Sequence, residues 1–420
     1  MKISSLRGLE ILDSRGRPTL GVRVELSNGV CASAQVPSGA SRGRYEALEL
    51  RDHDPDRWAG LGVRRAVENV EQIIAPALVG WEAAAQQEID GRLIELDGGQ
   101  NKANLGANAI LGVSCAVARA AAIAAGNPLW RSLAGARRPV LPCPMVNILS
   151  GGLHAGKNIE FQDFLVVPRG VGSYSAALEA AAAIHRTARD ILDSRGFVLT
   201  GVADEGGWGP LLKSNEEALA ILTEAIERAG YRPGDQVAIA IDVAASHFHA
   251  DSGYRLESEG VTLSPEEMIG RLEDWCCRYP VVSLEDALEE DDWNGWKALT
   301  ARLGARVQLV GDDFFTTSPA RVGRGIRERA ANAVLVKMNQ IGTLTETFEV
   351  IDISRAAGFS AVISARSGET EDSFLADLAV ASGAGQIKVG SVTRSERLAK
   401  YNRLLEIEAW EGVPYVNAAR

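Results

Sequence analysis

Six short apolar runs, each ending on a charged side chain, constrain the fold of this chain more than any other feature. Residues 237–241 run into Asp242, 281–284 into Glu285, 307–311 into Asp312, 333–336 into Lys337, 360–365 into Arg366 and 386–387 into Lys388. The charged ends follow one another at intervals of about 22 to 43 residues, with stretches of helical periodicity such as 265–279 and 343–357 between them. Strand, helix and strand at this repeat is the βα unit of a barrel, whose strand ends converge on one face. Three carboxylates, two lysines and an arginine then share one mouth, an arrangement suited to catalysis. Lys337 is the sharpest case. An ammonium at the end of an apolar strand loses hydration, and desolvation favours the neutral amine, a proton acceptor. Taken alone, such a lysine reads better as a side chain snorkelling out of a strand end; the recurrence of the pattern turns the balance to the catalytic reading.

With 420 residues, 46% of them hydrophobic, the chain can bury a large core divided over two domains. A net charge of −11 excludes a nucleic-acid binder, which needs a basic face. The five cysteines show no paired metal-type spacing, Cys276 and Cys277 being adjacent, and so read as reduced thiols of a cytosolic protein. No apolar signal region opens the chain, and the Ala-rich segment 107–125 carries Asn108, Ser114 and Arg119. That segment reads as a closely packed helix rather than a membrane span. The expectation is a cytoplasmic protein with no membrane partner.

Residues 1–136 read as a smaller α+β domain and 137–420 as the barrel. Segments 21–26 and 30–36 flank Asn28-Gly29, a strong hairpin signal, and helical patterns follow at 63–77, 84–96 and 107–125. Pro139, Pro142 and Pro144 cluster at the change of pattern. Three Gly-rich loops remain, at 37–43, 150–156 and 203–210; each alone is an ordinary turn, since glycine and aspartate are the usual turn formers.

Longer motifs run the length of the chain: Asp13-Ser14-Arg15-Gly16-Arg17-Pro18-Thr19, Gly106-Ala107-Asn108-Ala109-Ile110-Leu111, Asp204-Glu205-Gly206-Gly207, Leu309-Val310-Gly311-Asp312-Asp313, the stretch 337–347 that starts Lys337-Met338-Asn339-Gln340, and Arg366-Ser367-Gly368-Glu369-Thr370-Glu371-Asp372. Together they resemble the enolase family from end to end. The resemblance implies an N-terminal α+β capping domain followed by a modified (β/α)8 TIM-type barrel. It also implies magnesium-dependent loss of water from 2-phosphoglycerate to give phosphoenolpyruvate.

By the same resemblance, Asp242, Glu285 and Asp312 match the ligands of a first Mg²⁺, an ion that prefers hard oxygen donors. Ser41 matches a lid serine joining a second Mg²⁺. Lys337 matches the base that takes the proton next to the carboxylate, and Lys388 a second lysine that faces the substrate carboxylate and helps keep Lys337 neutral. Glu205 matches the acid that protonates the departing hydroxyl, Asp163 after Gln162 the carboxylate that assists it, and His154 a substrate-side histidine. Arg366 and Ser367 match the phosphate-binding pair; arginine's planar fork suits phosphate. An ion-pair network with no metal is the other reading of the carboxylates.

Several positions depart from the family pattern. Ala365 stands where a histidine precedes the arginine, and Asp163 is one methylene shorter than the usual glutamate. Arg42 replaces a threonine on the lid, Leu153 precedes His154 where Glu or Ser is usual, Ser150 replaces an asparagine, and Val389 replaces a threonine after Lys388. The metal ligands and the base are unaltered. This contrast points to the same chemistry on a different, small anionic substrate of the phospho- or phosphonoglycerate type, as in an enolase paralogue of phosphonate biosynthesis that dehydrates a phosphonoformyl analogue. A glycolytic enolase and a catalytically silent enolase-fold binding protein are the alternatives. Gly21 and Glu406 stand where the family pairs an acid with an arginine across its dimer contact, so a homo-oligomer with an altered interface is expected.

Overall fold

The computed structural model describes residues 1–39, 43–250 and 252–415. Three antiparallel strands, β1 (Ile3–Leu12), β2 (Pro18–Leu26) and β3 (Cys31–Gln35), open the chain in the order β1-β2-β3. The Asn28-Gly29 turn joins β2 and β3 as expected, with Gly29 at φ 84°. The sequence pattern did not mark β1: of its ten residues only Ile3 and Leu6 are buried, while Leu9 and Leu12 are exposed. The helical segment expected at 63–77 is continuous from Arg64 to Leu78, with a π-helical turn over Val70–Ile74 just before Pro76. The helices Gln86–Asp97 and Ala107–Ala124 follow. Ala107–Ala124 is long and apolar enough to cross a membrane, but 78% of it is buried inside the fold, against β2 and β3.

The remainder builds a closed barrel. Its strands are β4 (Cys143–Ser150), β5 (Asp163–Val167) and β6 (Ala238–Asp242), then, after a small sheet of β7 (His249–Ala250), β8 (Gly253–Leu256) and β9 (Val261–Leu263), β10 (Val281–Glu285), β11 (Gln308–Gly311), β12 (Ala333–Val336), β13 (Ser360–Ser364) and β14 (Gln386–Gly390). The order around the barrel is β10-β11-β12-β13-β14-β4-β5-β6. The small sheet fills the widest interval of the repeat, between Asp242 and Glu285. Side chains from β4, β5, β6, β11, β12 and β13 fill the interior, among them Met145, Leu165, Ala240, Val310, Leu335 and Val362.

The barrel departs from an all-parallel one at β5, which is antiparallel to both β4 and β6. Ser150 therefore lies opposite Asp163, and Asp163 opposite Asp242. A strand that runs the other way delivers its first residue, not its last, to the mouth. Between β5 and β6 lie two helices, Tyr174–Ser194 and Asn215–Arg228. The loop between them returns to the mouth, where Trp208 exchanges backbone hydrogen bonds with β4 and the Glu205 carbonyl accepts from Ser391 N–H at 2.8 Å.

The N-terminal layer caps this mouth. Ser38 and Gly368 exchange backbone hydrogen bonds at 2.7 and 2.9 Å, and Lys102 pairs with Glu346 at 2.9 Å. A Cβ on Gly368 would sit 2.4 Å from the Ser38 carbonyl, so this approach of cap to barrel requires glycine.

Candidate active site

The sequence-predicted residues meet at the barrel mouth. His154, Gln162, Glu205, Asp242, Lys337, Arg366, Ser367 and Lys388 line one cavity with Ser364, Ala365 and Val389. Asp163, Glu285 and Asp312 are buried close by. Ser41 and Arg42, expected on the lid, lie outside the described residues.

Lys388, from β14, sits between two carboxylates: Nζ donates to Asp242 Oδ2 at 2.7 Å and to Glu285 Oε1 and Oε2 at 2.7 and 2.8 Å. Burial works against its charge, yet Asp242 and Glu285 outweigh burial and lift Lys388 well above the ordinary lysine range. Lys337, just past β12, pairs with Asp312 Oδ2, whose other oxygen accepts from Gln340 Nε2 at 3.0 Å. The expectation of a neutral Lys337 is corrected by this contact. Burial, and after it Arg366, push the group down, but Asp312 more than compensates and raises it.

Carboxylates crowd this end of the barrel. Burial, followed by the charge of Asp242, pushes Glu285 well above the usual range. Asp286 accepts the backbone N–H of Asp312 and Asp313 at 2.8 and 2.7 Å, and burial together with Asp313 pushes it up as well. Asp313 is raised to about 8 by burial and by Asp312. Five acids thus face two ammonium groups among the described residues, and a dication fits such an all-oxygen donor set. Asp286, Asp312 and Asp313 present oxygens within 4.8 Å of one another, whereas Asp242 and Glu285 are gathered round Lys388. Asp242 and Glu285 also face each other in register on neighbouring strands.

On the opposite wall, His154 Nδ1 lies 2.8 Å from Asp163 Oδ2 and Nε2 3.9 Å from Glu205 Oε1. Burial disfavours the imidazolium, but Asp163 and Glu205 overcome it and raise His154 to about 9. Burial alone would raise Glu205; the charges of His154, Arg397 and Lys388 turn the balance, and its carboxyl is lowered. Gln162 Nε2 donates to Asp242 Oδ2 at 3.1 Å.

Arg366 is gripped by Glu46 of the capping layer, Nη1 to Oε2 at 2.9 Å and Nη2 to Oε1 at 3.2 Å, and donates to Asn339 Oδ1 at 3.0 Å. The buried Arg397 donates to the carbonyls of Arg366 and Ser367, both at 2.6 Å. Glu46, Asp286, Gln340 and Arg397 carried no role in the sequence reading. Asp286 lies directly after Glu285 and Gln340 within the 337–347 motif that begins at Lys337, and those positions were the available signal.

The fold and the site together define a barrel enzyme that joins acid–base groups to a carboxylate cluster able to hold a cation. Residues 138–415 match the enolase C-terminal TIM barrel domain and residues 3–133 the enolase N-terminal domain. The chain belongs to the enolase family. It is accordingly a magnesium-dependent enzyme of the enolase superfamily.

Proposed function

We propose that this protein is a hydro-lyase that removes water from a 2-phosphoglycerate-like substrate enlarged around its phosphorus group, the activity of a carboxyphosphonoenolpyruvate synthase, in the cytoplasm. Asp242, Glu285 and Asp312 would hold one Mg²⁺, and Ser41 would join a second. Bound there, magnesium supplies positive charge against the dianion that forms when the proton next to the carboxylate is lost. Lys337 takes that proton from C2 once its own proton, held by Asp312, has been released. Lys388 faces the substrate carboxylate, Arg366 and Ser367 hold the phosphorus group, and Gln162 orients Asp242. The hydroxyl on C3 leaves with a proton delivered from Glu205.

One observation carries the choice of substrate. Ala365 lies in the wall of the same cavity as Arg366, Lys388 and Val389, and its methyl group takes less room there than the imidazole of the family pattern would. A planar phosphonoformyl substituent is about the size of the imidazole that the family places there. Arg42 adds a cation for an extra oxygen, and a charge-assisted hydrogen bond of about 1.5–3 kcal/mol corresponds to roughly tenfold to a hundredfold in preference. The test is an assay of 2-phosphoglycerate against its phosphonoformyl analogue. Ala365→His is expected to lower turnover of the analogue by about tenfold, and Arg42→Thr to raise its KM. Rapid turnover of 2-phosphoglycerate with none of the analogue would instead make this a glycolytic enolase. No turnover of either would leave a silent binding protein.

A homo-oligomer is part of the same proposal. Leu9, paired with Gly21, is 64% exposed, and Trp410 on the last helix, which also carries Glu406, is 78% exposed. These apolar groups would take over from the missing ion pair in an altered interface. Light scattering is expected to show a dimer or larger assembly; a monomer at high concentration overturns it.

A further inference from the structure

Two of the positions at which this chain departs from the family pattern touch each other. Ser150 ends β4 and Asp163 begins β5, and Ser150 Oγ donates to Asp163 Oδ1 at 2.9 Å. Asn147 Nδ2 donates to the same oxygen. Asp163 Oδ2 is thereby left to face His154 Nδ1 at 2.8 Å, and the far side of the ring, Nε2, points to Glu205 Oε1 at 3.9 Å. All five side chains are buried, Asn147 and Asp163 completely. Gly207 makes room for the anchors: a Cβ there would stand 2.8 Å from Asn147 Oδ1 and 2.9 Å from Ser150 Oγ.

We propose that Ser150 and Asn147 are positioning residues that aim Asp163 at His154, so that His154 holds the proton Glu205 delivers to the departing hydroxyl. The proposal rests on the dehydration read above. With Oδ1 taken by two donors, Oδ2 accepts the Nδ1–H and locks the ring with Nε2–H towards Glu205. The proton on Nε2 passes to Glu205 Oε1, and Glu205 protonates the C3 oxygen as the C–O bond breaks. The electron pair left at C2 by proton loss to Lys337 becomes the new double bond. Water departs, Lys337 has gained one proton and His154 has lost one, and exchange with solvent resets both. The 3.9 Å gap is an ion-pair distance, which closes on forming the reactive complex as such contacts commonly do.

Burial raises the Asp163 carboxyl, and the charge and hydrogen bond of His154 oppose that rise. The groups facing His154 are Asp163 from β5, Glu205 from the 203–210 loop and Asp242 from β6, and His247 interacts with both His154 and Asp242. The acids raise the imidazole to about 9, while Glu205 is lowered, so the resting proton is on the histidine. The proton donor is therefore filled below that value and emptied as pH rises through it.

The magnesium-loaded protein in D₂O separates the steps, because C2 exchange needs Lys337 while elimination also needs the relay. With whichever of 2-phosphoglycerate and the phosphonoformyl analogue the parent turns over, Ser150→Ala is expected to lower elimination about tenfold and Asp163→Asn about a hundredfold. Exchange at C2 stays within about twofold, and the alkaline limb of elimination moves to lower pH in both variants. Exchange and elimination falling together, or an unmoved limb, overturns the relay. A parent that neither exchanges nor eliminates with either compound defeats the dehydratase reading instead. The relay geometry is then still tested by ¹⁵N NMR of the imidazoles: a His154 titration near 9 in the parent that drops in Asp163→Asn supports it, and an unchanged one overturns it.

Discussion

Lys337→Ala is expected to reduce turnover by about 10⁴-fold and to abolish exchange of the substrate's C2 proton with solvent, the upper end of what one positioned base contributes. The exchange carries more information than the turnover. Glu205→Gln, which leaves Lys337 in place, should slow elimination and let exchange continue. The lysine variant also strips Asp312 of its ion-pair partner, leaving Gln340 as the side chain on its other oxygen. A buried carboxylate left without its counter-charge costs about 3–5 kcal/mol, so a fall in Tm of the metal-free variant accompanies the kinetic defect, and added Mg²⁺ offsets part of it. Exchange at the parent rate in Lys337→Ala would assign the base to another residue.

Glu285→Gln is expected to remove magnesium dependence together with activity, at least about 10³-fold, because it deletes one anionic donor from an oxygen site that must hold a dication. Its effect on stability distinguishes metal ligation from a plain ion-pair network. Burial and Asp242 raise the Glu285 carboxyl. A group whose folded pKa is raised contributes stability below its unfolded pKa, and that contribution is lost as pH rises through the folded value. In the metal-free protein burial and Asp242 oppose the charge on Glu285 while its pair with Lys388 favours it, so Glu285→Gln should change the Tm less than Lys337→Ala does. In the parent, Mg²⁺ at a hundred times its dissociation constant adds about 2.7 kcal/mol; in the variant that increment should vanish. A variant that melts lower without metal and still gains the full increment would mean that the carboxylate serves only Lys388.

Five of the six charged groups were legible because each sits at or just past the end of a buried run that meets the polar mouth, and the barrel repeats that junction; Lys388, expected at a strand end, instead lies inside β14 (Gln386–Gly390). The same reasoning could not place Asp163, since β5 is reversed and presents its first residue. His154 and Glu205 came from the family resemblance alone: both stand on Gly-rich loops with no periodicity. Glu46 was out of reach for a different reason. It grips Arg366 across 320 residues of sequence, and pattern within a window carries nothing about such a contact. The neutral Lys337 failed through distance as well. Desolvation follows from the local apolar run, whereas the Asp312 charge that outweighs it arrives from the neighbouring strand.

The reversed β5 bears on how the site assembles during folding. The turn of β4 into β5 joins Ser150 to Asp163 within a short stretch of chain, so the His154 wall can form from local contacts with little loop-closure cost. The base and cation wall cannot, because Lys388 reaches Asp242 and Glu285 only when β14 meets β4, pairing Gln386 with Cys143. High sequence separation makes such closure slow. Refolding should therefore protect the amides of β4 and β5 from exchange before those of β14, with magnesium binding appearing only in the later phase. Simultaneous protection of all three strands would show that the barrel closes in one step.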